Sequence, residues 1–362
     1  MSGWFNNGLS PRPQGAGEVR EPDEKGRGGI VPFGSSAGEK SNERRPALSV
    51  ASGLLFCVLG GAVAASGLPL VAPALVAYGF VCCAVAGGLR ERALAVVAAL
   101  ASAVALSVPD GIAAVATPVV VCLAALVTAG LLVREKMTPG VGCVVVAGAT
   151  LAQLGAESLA ALSQGTTLSA SMMALFDAYL QQLGGASSFD LAAQMGAVKA
   201  LLSVLWPAAY VVVALAAFLV AHVGVWIAAP RAGARAPKLP RMADYDLPLW
   251  VVAVFVLAVA ALAVTLTVPA ASSQALLMAS ANVVVAVRFA LAAQGLAVLA
   301  WLVQRRHMAG LGTVLLGMAA LYLEFQFFVL TLVGLVDVWA NFRHLQRGEK
   351  PGQDEAKTAR QD

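Results

Sequence analysis

Polar side chains inside long apolar stretches are the residues of this chain whose types and positions suggest chemistry. Gln153 and Glu157 lie four residues apart in one such stretch, so a helix would place them on the same face. Arg288 and Glu324 lie near the middle of two others. A charged group inside a bilayer is costly unless it is paired or faces water. These positions are therefore candidates for a binding site or for buried ion pairs.

The first pair of residues has a candidate partner on the next apolar stretch. Gln153 and Glu157 approach the predicted outer surface, and Lys199 begins the following stretch at a similar depth. If Glu157 meets Lys199, the contact is either a structural ion pair or one wall of a polar site that opens outward. Both interpretations stay open.

A long outer loop, about residues 164–197, connects these two stretches. Connections of this length are uncommon and are often lids or binding loops. Within it, residues 172–183 carry apolar side chains at helical spacing, with Asp177 and Gln181 on the opposite face. We expect a surface helix that covers the site. The predicted substrate-binding residues are Gln153, Glu157, Asp177, Gln181 and Lys199.

Arg288 and Glu324 form the second candidate site, deeper in the membrane. Their equal depth makes them natural partners, because an unpaired arginine at that depth would be expensive. The predicted intramembrane pair either locks two helices together or takes part in function.

Motifs for catalysis or metal binding are absent from the sequence. Its five cysteines form no Cys-x-x-Cys pair, and its three histidines have no Glu or Cys at ligand spacing. Neither a Gly-x-Ser-x-Gly elbow nor a His-Glu-x-x-His helix occurs. We predict no catalytic residue, no metal site, no cofactor and no nucleic-acid partner, and therefore a protein that is not an enzyme.

The elements that carry these residues are transmembrane helices. The 362 residues are 59% hydrophobic and 12% charged, and about 20 apolar residues span a bilayer core of about 30 Å. The fold class is therefore all-α, a polytopic transmembrane helix bundle in the lipid bilayer. In chain order, we number the predicted spans one to eight and add a last stretch, at about 47–66, 69–88, 93–109, 112–133, 140–163, 198–228, 248–268, 275–303 and 309–340.

Basic residues predict the orientation, since cytoplasmic loops are enriched in Lys and Arg. Every alternate loop is basic, and the loops between them contain no Lys or Arg. The basic positions are Lys40, Arg44, Arg45, Arg90, Arg92, Arg134, Lys136, Arg231, Arg235, Lys238, Arg241, Arg305 and Arg306. The transmembrane domain, 47–345, is thus predicted to lie in the plasma membrane between disordered cytoplasmic tails, 1–46 and 346–362.

The last stretch, 309–340, has two possible structures. As one helix its 32 residues would extend about 48 Å, well beyond the bilayer core. As two short helices bent near residues 324–326, it would return to the cytoplasm and bring Trp339 to the same interface as other tryptophans. We favour the hairpin, and a single span stays open.

Several short motifs give the chain a family resemblance. They are Leu89-Arg90-Glu91-Arg92-Ala93, Asp246-Leu-Pro-Leu-Trp250, Ala281-Asn282, Gln294-Gly295-Leu296-Ala297, Arg305-Arg306, Gly334-Leu335-Val336-Asp337-Val338-Trp339 and Phe342-Arg343. With this order of features, residues 47–345 resemble the YybS-like family of bacterial membrane proteins of unknown function. That family is considered related to the substrate-binding S components of energy-coupling-factor vitamin transporters.

The resemblance implies an S-component-like core of spans one to six, with additional helices at the carboxyl-terminal side. It also implies that outer loops form a substrate lid and that span one contacts a transmembrane coupling subunit, which works with ATPases. The segment 248–340 is absent from ordinary S components and departs from that pattern.

Two functions of different classes follow. In the first, the chain is a solute-binding or transport subunit that captures a small molecule from the outer side. In the second, it is a non-transport membrane scaffold or regulator whose polar residues are structural. The solute, the partners and the oligomeric state are not encoded in any motif.

The alternating basic loops predict that both chain termini face the cytoplasm. Cysteine labelling or a reporter fused after Asp362 would test this, and we expect protection from membrane-impermeant reagents. External labelling of the carboxyl terminus would rule out the hairpin at 309–340.

Overall fold

The computed structural model describes residues 48–345, except for 67, 69, 184–188, 269–272, 307 and 309. The predicted tails at 1–46 and 346–362 lie outside the described residues. Within these ranges the chain forms α-helices and short 3-10 turns, with no β-strand, as expected for an all-α bundle.

Eleven α-helices make up the described chain. They are α1 (Val50–Ala64), α2 (Ala72–Ala86), α3 (Leu89–Ser107), α4 (Ile112–Val133), α5 (Pro139–Ser163), α6 (Leu168–Leu183), α7 (Phe189–Ala228), α8 (Leu249–Thr267), α9 (Gln274–Arg305), α10 (Gly310–Phe327) and α11 (Val329–Ala340). Seven helices in the described ranges are long and apolar enough to cross a membrane, and α1, α2 and α11 are shorter apolar helices.

Several helix bounds differ from the predicted spans. Helices α1 and α2 contain 15 residues each, about 22 Å, although both were expected to fill a span of about 20 residues. Helix α7 begins at Phe189 and is 40 residues long, so it extends beyond the predicted span into the end of the predicted outer loop, while its candidate membrane span is Gly196–Arg231. Lys199 therefore lies near the start of the span but ten residues inside the helix.

Local signals explain where several helices begin. The side chains of Ser49, Thr138 and Ser273 cap α1, α5 and α9 by accepting a backbone N–H from the first turn. Pro139 occupies the first position of α5, where no intrahelical donor is needed.

Small residues pack the first group of helices, α1 to α4 with α7. A Cβ added at Gly60 would meet Val76 of α2, and one at Gly61 would meet Ala99 and Ser102 of α3. Alanine and cysteine fill the same core, including Cys57, which is fully buried. The small-residue face of α1 is therefore used for packing inside the chain, as small residues are in many membrane bundles.

A second group, α8, α9 and α11, is held by a close crossing of two glycines. A Cβ added at Gly334 of α11 would meet the Leu291 carbonyl oxygen of α9, and one at Gly295 of α9 would meet the Leu330 carbonyl oxygen. Arg288 of α9 stacks on Phe328, the residue before α11. Gln294, six residues later on α9, hydrogen-bonds Asp337 near the end of α11. Later residues of α9 thus meet later residues of α11, so the two helices run in the same direction.

Helices α10 and α11 form a hairpin beside α9. Phe328 separates them with a left-handed backbone, φ 57°, so the break lies at Phe328 and not at the predicted residues 324–326. Glu324 accepts the backbone N–H of Thr331 and so caps the first turn of α11. Because only four residues separate α9 from α10 and α11 runs parallel to α9, the chain returns to the end of the bundle where α9 finishes.

Basic loops gather at one end of the bundle, which we call the basic end. Arg92 and Arg235 donate to the last carbonyl groups of α2, at Ala84 and Val85, each at 3.1 Å. The Lys238 backbone contacts Glu135, and Arg343 donates to Ala243. The segments that meet there are 87–92, 134–138, 229–248 and 341–345.

The glycine crossing predicts a sharp difference between two kinds of glycine substitution. Gly334→Ala should lower the free energy of unfolding by about 1–3 kcal/mol, because its Cβ would overlap the backbone of α9. Gly317→Ala in α10 is the control, since a Cβ there meets nothing within 4 Å. Thermal unfolding of both variants in one detergent measures the difference, and equal melting temperatures would contradict the close crossing.

Candidate functional site

Glu157 of α5 is the centre of a polar cluster far from the basic end. Its carboxylate accepts a hydrogen bond from the Tyr210 hydroxyl of α7 and one from Thr117 of α4, the latter at 3.5 Å. Pro139 starts α5 at the basic end, and Glu157 is 18 residues later, about 27 Å along the axis. Glu157 thus lies at the end of the bundle opposite the basic end, where side chains of α4 and α7 donate hydrogen bonds to its carboxylate.

Three buried polar atoms on the neighbouring parts of α5, α7 and α9 have no hydrogen-bond partner, and Asn282 of α9 reaches α7 at Val204, two residues before Trp206. They are Gln153 Oε1, Trp206 Nε1 and Asn282 Oδ1, on side chains that are 4%, 8% and 9% exposed. Gln153 is one helical turn from Glu157, and Trp206 is one turn from Tyr210. We call these three residues, together with Thr117, Glu157 and Tyr210, the Glu157 cluster.

The orientation of the Asn282 amide follows from its own contacts. Its nitrogen donates to the backbone oxygens of Val204 and Met278, each at 2.7 Å. If the amide were flipped, its oxygen would face two carbonyl oxygens and no hydrogen bond could form. The atom left without a partner is therefore the acceptor Oδ1.

Helix α6 covers the cluster with apolar side chains. Leu168, Met172 and Phe176 pack with Trp206 and Tyr210. Leu175 and Tyr179, which the predicted apolar face included, are about 60% exposed, so only part of that face is buried. The covering helix lies where the sequence places a lid.

The remaining predicted site residues, Asp177, Gln181 and Lys199, lie on or beside the exposed side of α6. Lys199 Nζ lies 2.6 Å from Asp177 of α6, and both side chains are nearly half exposed. Gln181 is exposed near the end of α6. Lys199 therefore pairs with Asp177, while Glu157 accepts hydrogen bonds from Tyr210 and Thr117, so the contact between Glu157 and Lys199 that the sequence left open does not form in the described structure.

Arg288 and Glu324 meet at the tip of the α10–α11 hairpin. Arg288 Nε lies 3.2 Å from Glu324 Oε1, and its guanidinium stacks on the Phe328 ring at 3.9 Å. Glu324 also accepts the Thr331 hydroxyl at 2.6 Å. The carboxylate is thus shared by an arginine and by the first turn of α11, which ties the hairpin to the middle of α9.

A second network closes the bundle at the basic end. Asp337, Gln294 and the Arg343 side chain are fully buried, and Asp337 Oδ2 accepts from Gln294 Nε2 and from Arg343 Nη2, each at 2.9 Å. Gln294 Oε1 in turn accepts the Leu247 backbone N–H at 3.0 Å. We call this set, with Asp246, the Asp337 network. It joins α9, α11 and the segment before α8.

The segment beside this network is partly buried as well. Burial raises the pKa of the Tyr245 hydroxyl, which therefore stays protonated at neutral pH. A groove of about 950 Å³ runs next to it, between the start of α5 and residues 246–250. Its lining is mainly apolar, with Val141, Val144, Leu249 and Trp250 among its residues.

The Glu157 cluster, the hairpin tip and the Asp337 network differ in how many of their polar atoms have hydrogen-bond partners. Glu324 and Arg343 are engaged by neighbours in the described structure, which suits helix locking. The Glu157 cluster alone combines a carboxylate with orphaned donors and acceptors from two or more helices. Among the described residues, no group of three His, Cys, Asp or Glu side chains is placed to hold a metal ion.

Sequence reasoning missed most of the partners in these sites. Trp206 and Tyr210 occur in an apolar stretch, where aromatic residues resemble ordinary core. Asp337 and Arg343 entered the sequence analysis only as parts of the family motifs, and no contact between them was predicted. Their spacing of six residues places Arg343 just beyond the end of α11, which is the position from which it can turn back onto Asp337.

Helix composition and family comparison agree on the class of the protein. The described chain is a multi-pass α-helical membrane protein, with seven helices long and apolar enough to span a bilayer. The family model described as "Predicted membrane protein (DUF2232)" matches residues 54–338, so the chain belongs to that family. Neither the curated proteins nor the solved structures include a match.

The hairpin tip predicts strong coupling between its two charges. Arg288→Ala or Glu324→Ala alone should destabilise the fold by a few kcal/mol, because each leaves the other charge in the membrane without its partner. The double variant should lose less than the sum of both losses, by about 0.5–3 kcal/mol. Thermal unfolding in detergent of the four proteins measures this coupling.

The Lys199–Asp177 pair serves as the control for this double-mutant experiment. They form a closer pair, 2.6 Å against 3.2 Å, but a more exposed one, and exposed pairs contribute at most about 1 kcal/mol. Strict additivity at Arg288 and Glu324 would show that the deep contact stabilises nothing.

Proposed function

We propose that this protein is a non-catalytic subunit of a transporter in the cell membrane, which binds a small solute at the Glu157 cluster. The observation that carries the proposal is the set of three buried polar atoms without partners in the part of the bundle where Glu157 hydrogen-bonds Tyr210. A buried donor or acceptor left unsatisfied costs about 1–3 kcal/mol. A solute that supplies the missing hydrogen bonds would remove this cost, which favours binding at this position.

The position of the Glu157 cluster and the helix that covers it support a site that opens to the outside. If the basic end faces the cytoplasm, as the positive-inside rule predicts, both termini are cytoplasmic and the Glu157 cluster lies near the outer surface. Helix α6 then acts as a lid, held by Leu168 and Met172 on the cluster and by the Asp177–Lys199 pair at its rim. Movement of this one amphipathic helix would admit a solute without separating the long helices.

The family resemblance supports the same role. Resemblance to YybS-like proteins, and through them to S components, implies a solute-binding core formed by α1 to α5 and α7, together with a coupling subunit and ATPases. The small-residue face of α1 is occupied inside the chain, so a coupling subunit would contact the exposed apolar side chains of α1, such as Leu55 and Leu59. Helices α8 to α11 are the departure from ordinary S components.

A solute screen tests the proposal on the purified full chain. Vitamins, nucleobases and amino acids are tested by thermal shift, and a ligand at one hundred times its dissociation constant should stabilise the fold by about 2.7 kcal/mol. Glu157→Gln should weaken the ligand-induced shift because it removes the central charge. Asp110→Asn, an exposed carboxylate between α3 and α4, should leave the shift unchanged.

Purification from the native membrane completes the test. A co-eluting ATPase pair or a bound small molecule would support transport. An affinity that Glu157→Gln leaves unchanged would move the site elsewhere. If no solute shifts the protein and nothing co-purifies, the chain is a scaffold or regulator, and its polar sites serve only to lock helices.

A further inference from the structure

The unmet hydrogen-bonding capacity of the Glu157 cluster is unbalanced toward acceptors. Asn282 Oδ1 is an acceptor whose identity is fixed by its amide contacts, and Gln153 Oε1 is a second acceptor. Trp206 Nε1 is the single unmet donor, since indole can only donate. A ligand that satisfies this set therefore donates more hydrogen bonds than it accepts.

The charge of the cluster points the same way. Glu157 receives hydrogen bonds from two neutral hydroxyl groups, those of Tyr210 and Thr117. In the described structure no Lys or Arg forms an ion pair with it, and Lys199, the partner that the sequence suggests, is paired with Asp177. A carboxylate between membrane helices is most stable when a cation accompanies it.

Aromatic side chains complete the environment. The rings of Trp206 and Tyr210 lie edge to face, with centroids 6.1 Å apart, and Phe176 of the covering helix packs on the same group. Aromatic faces attract cations as well as apolar groups. Charge, hydrogen bonding and ring chemistry thus favour one type of ligand.

We infer that the solute is a small organic cation, a protonated primary amine with an apolar body and at least one acceptor group. The ammonium group lies against Glu157 and donates to the acceptors Gln153 Oε1 and Asn282 Oδ1. The acceptor group of the solute receives the Trp206 N–H, and its apolar body packs under Phe176. This inference rests on the proposed function and specifies the substrate class of the same site.

Three compounds with one carbon skeleton test the charge requirement. Phenethylammonium, 2-phenylethanol and phenylacetate carry a positive, a neutral and a negative head on the same aromatic body. Binding is measured by isothermal titration calorimetry on the full chain in lipid nanodiscs, with empty nanodiscs subtracted. We expect phenethylammonium to bind at least tenfold more tightly than the alcohol, and phenylacetate to bind least.

Variants separate the site from nonspecific partition. Glu157→Gln should reduce the affinity for phenethylammonium at least tenfold while leaving the affinity for 2-phenylethanol unchanged. Asp110→Asn, the matched carboxylate-to-amide control, should keep the preference for the amine. Melting temperatures of the unliganded variants show whether each protein is folded, and Gln153→Leu serves as a second probe if Glu157→Gln does not fold.

The outcomes distinguish the solute class from the site itself. If the alcohol or the carboxylate binds as tightly as the amine in a Glu157-dependent manner, the solute site stands and the cation inference is wrong. The same holds if the amine is silent while another solute binds in a Glu157-dependent manner. If no compound of the trio or of the broader screen binds, both the inference and the proposed function fall.

Discussion

A bilayer core offers no water to hydrogen-bond with, and this constraint governs how the helices of this protein use their polar groups. Several hydroxyl groups inside helices donate back to a carbonyl one turn earlier, as Ser107, Thr128, Thr150 and Ser280 do. Larger polar groups find each other across helices, as in the Asp337 network and at the hairpin tip. Against this background the orphaned atoms of the Glu157 cluster stand out, because the described residues leave only one other buried side-chain atom, Arg92 Nε, without a hydrogen-bond partner.

Close packing by small residues is the second requirement that the fold meets. Between lipid-facing helices there is little hydrophobic gain from association, so backbone proximity and dispersion must hold the bundle together. Gly60 and Gly61 bring α1 onto α2 and α3, and Gly295 and Gly334 bring α9 onto α11. The two packed groups are thus built on the same device, although only the second also carries a buried polar network.

The helical class of the fold and the alternation of its basic loops were predictable from the sequence, because only helices satisfy a backbone in lipid and because Lys and Arg avoid it. The positions of Arg288 and Glu324 suggested a pair, since two isolated charges at one depth have few other partners. The partner of Lys199 was not predictable in the same way. Lys199 lies near the start of the candidate span Gly196–Arg231, as predicted, but its ion pair is with Asp177 of α6 and not with Glu157. Trp206 and Tyr210 gave no signal, since an apolar residue that lines a site resembles one that fills a core.

The reach of the Asp337 network has a consequence for how the protein is assembled. Arg343 binds the Ala243 carbonyl across 100 residues of chain, and Asp337 binds Gln294 across 43. During synthesis, residues 243–246 and α9 are made long before Arg343. Because Asp337 and Arg343 lie only six residues apart, they reach the network together, when α11 packs against α9. The network can therefore close only after the last helix of the described chain has been made.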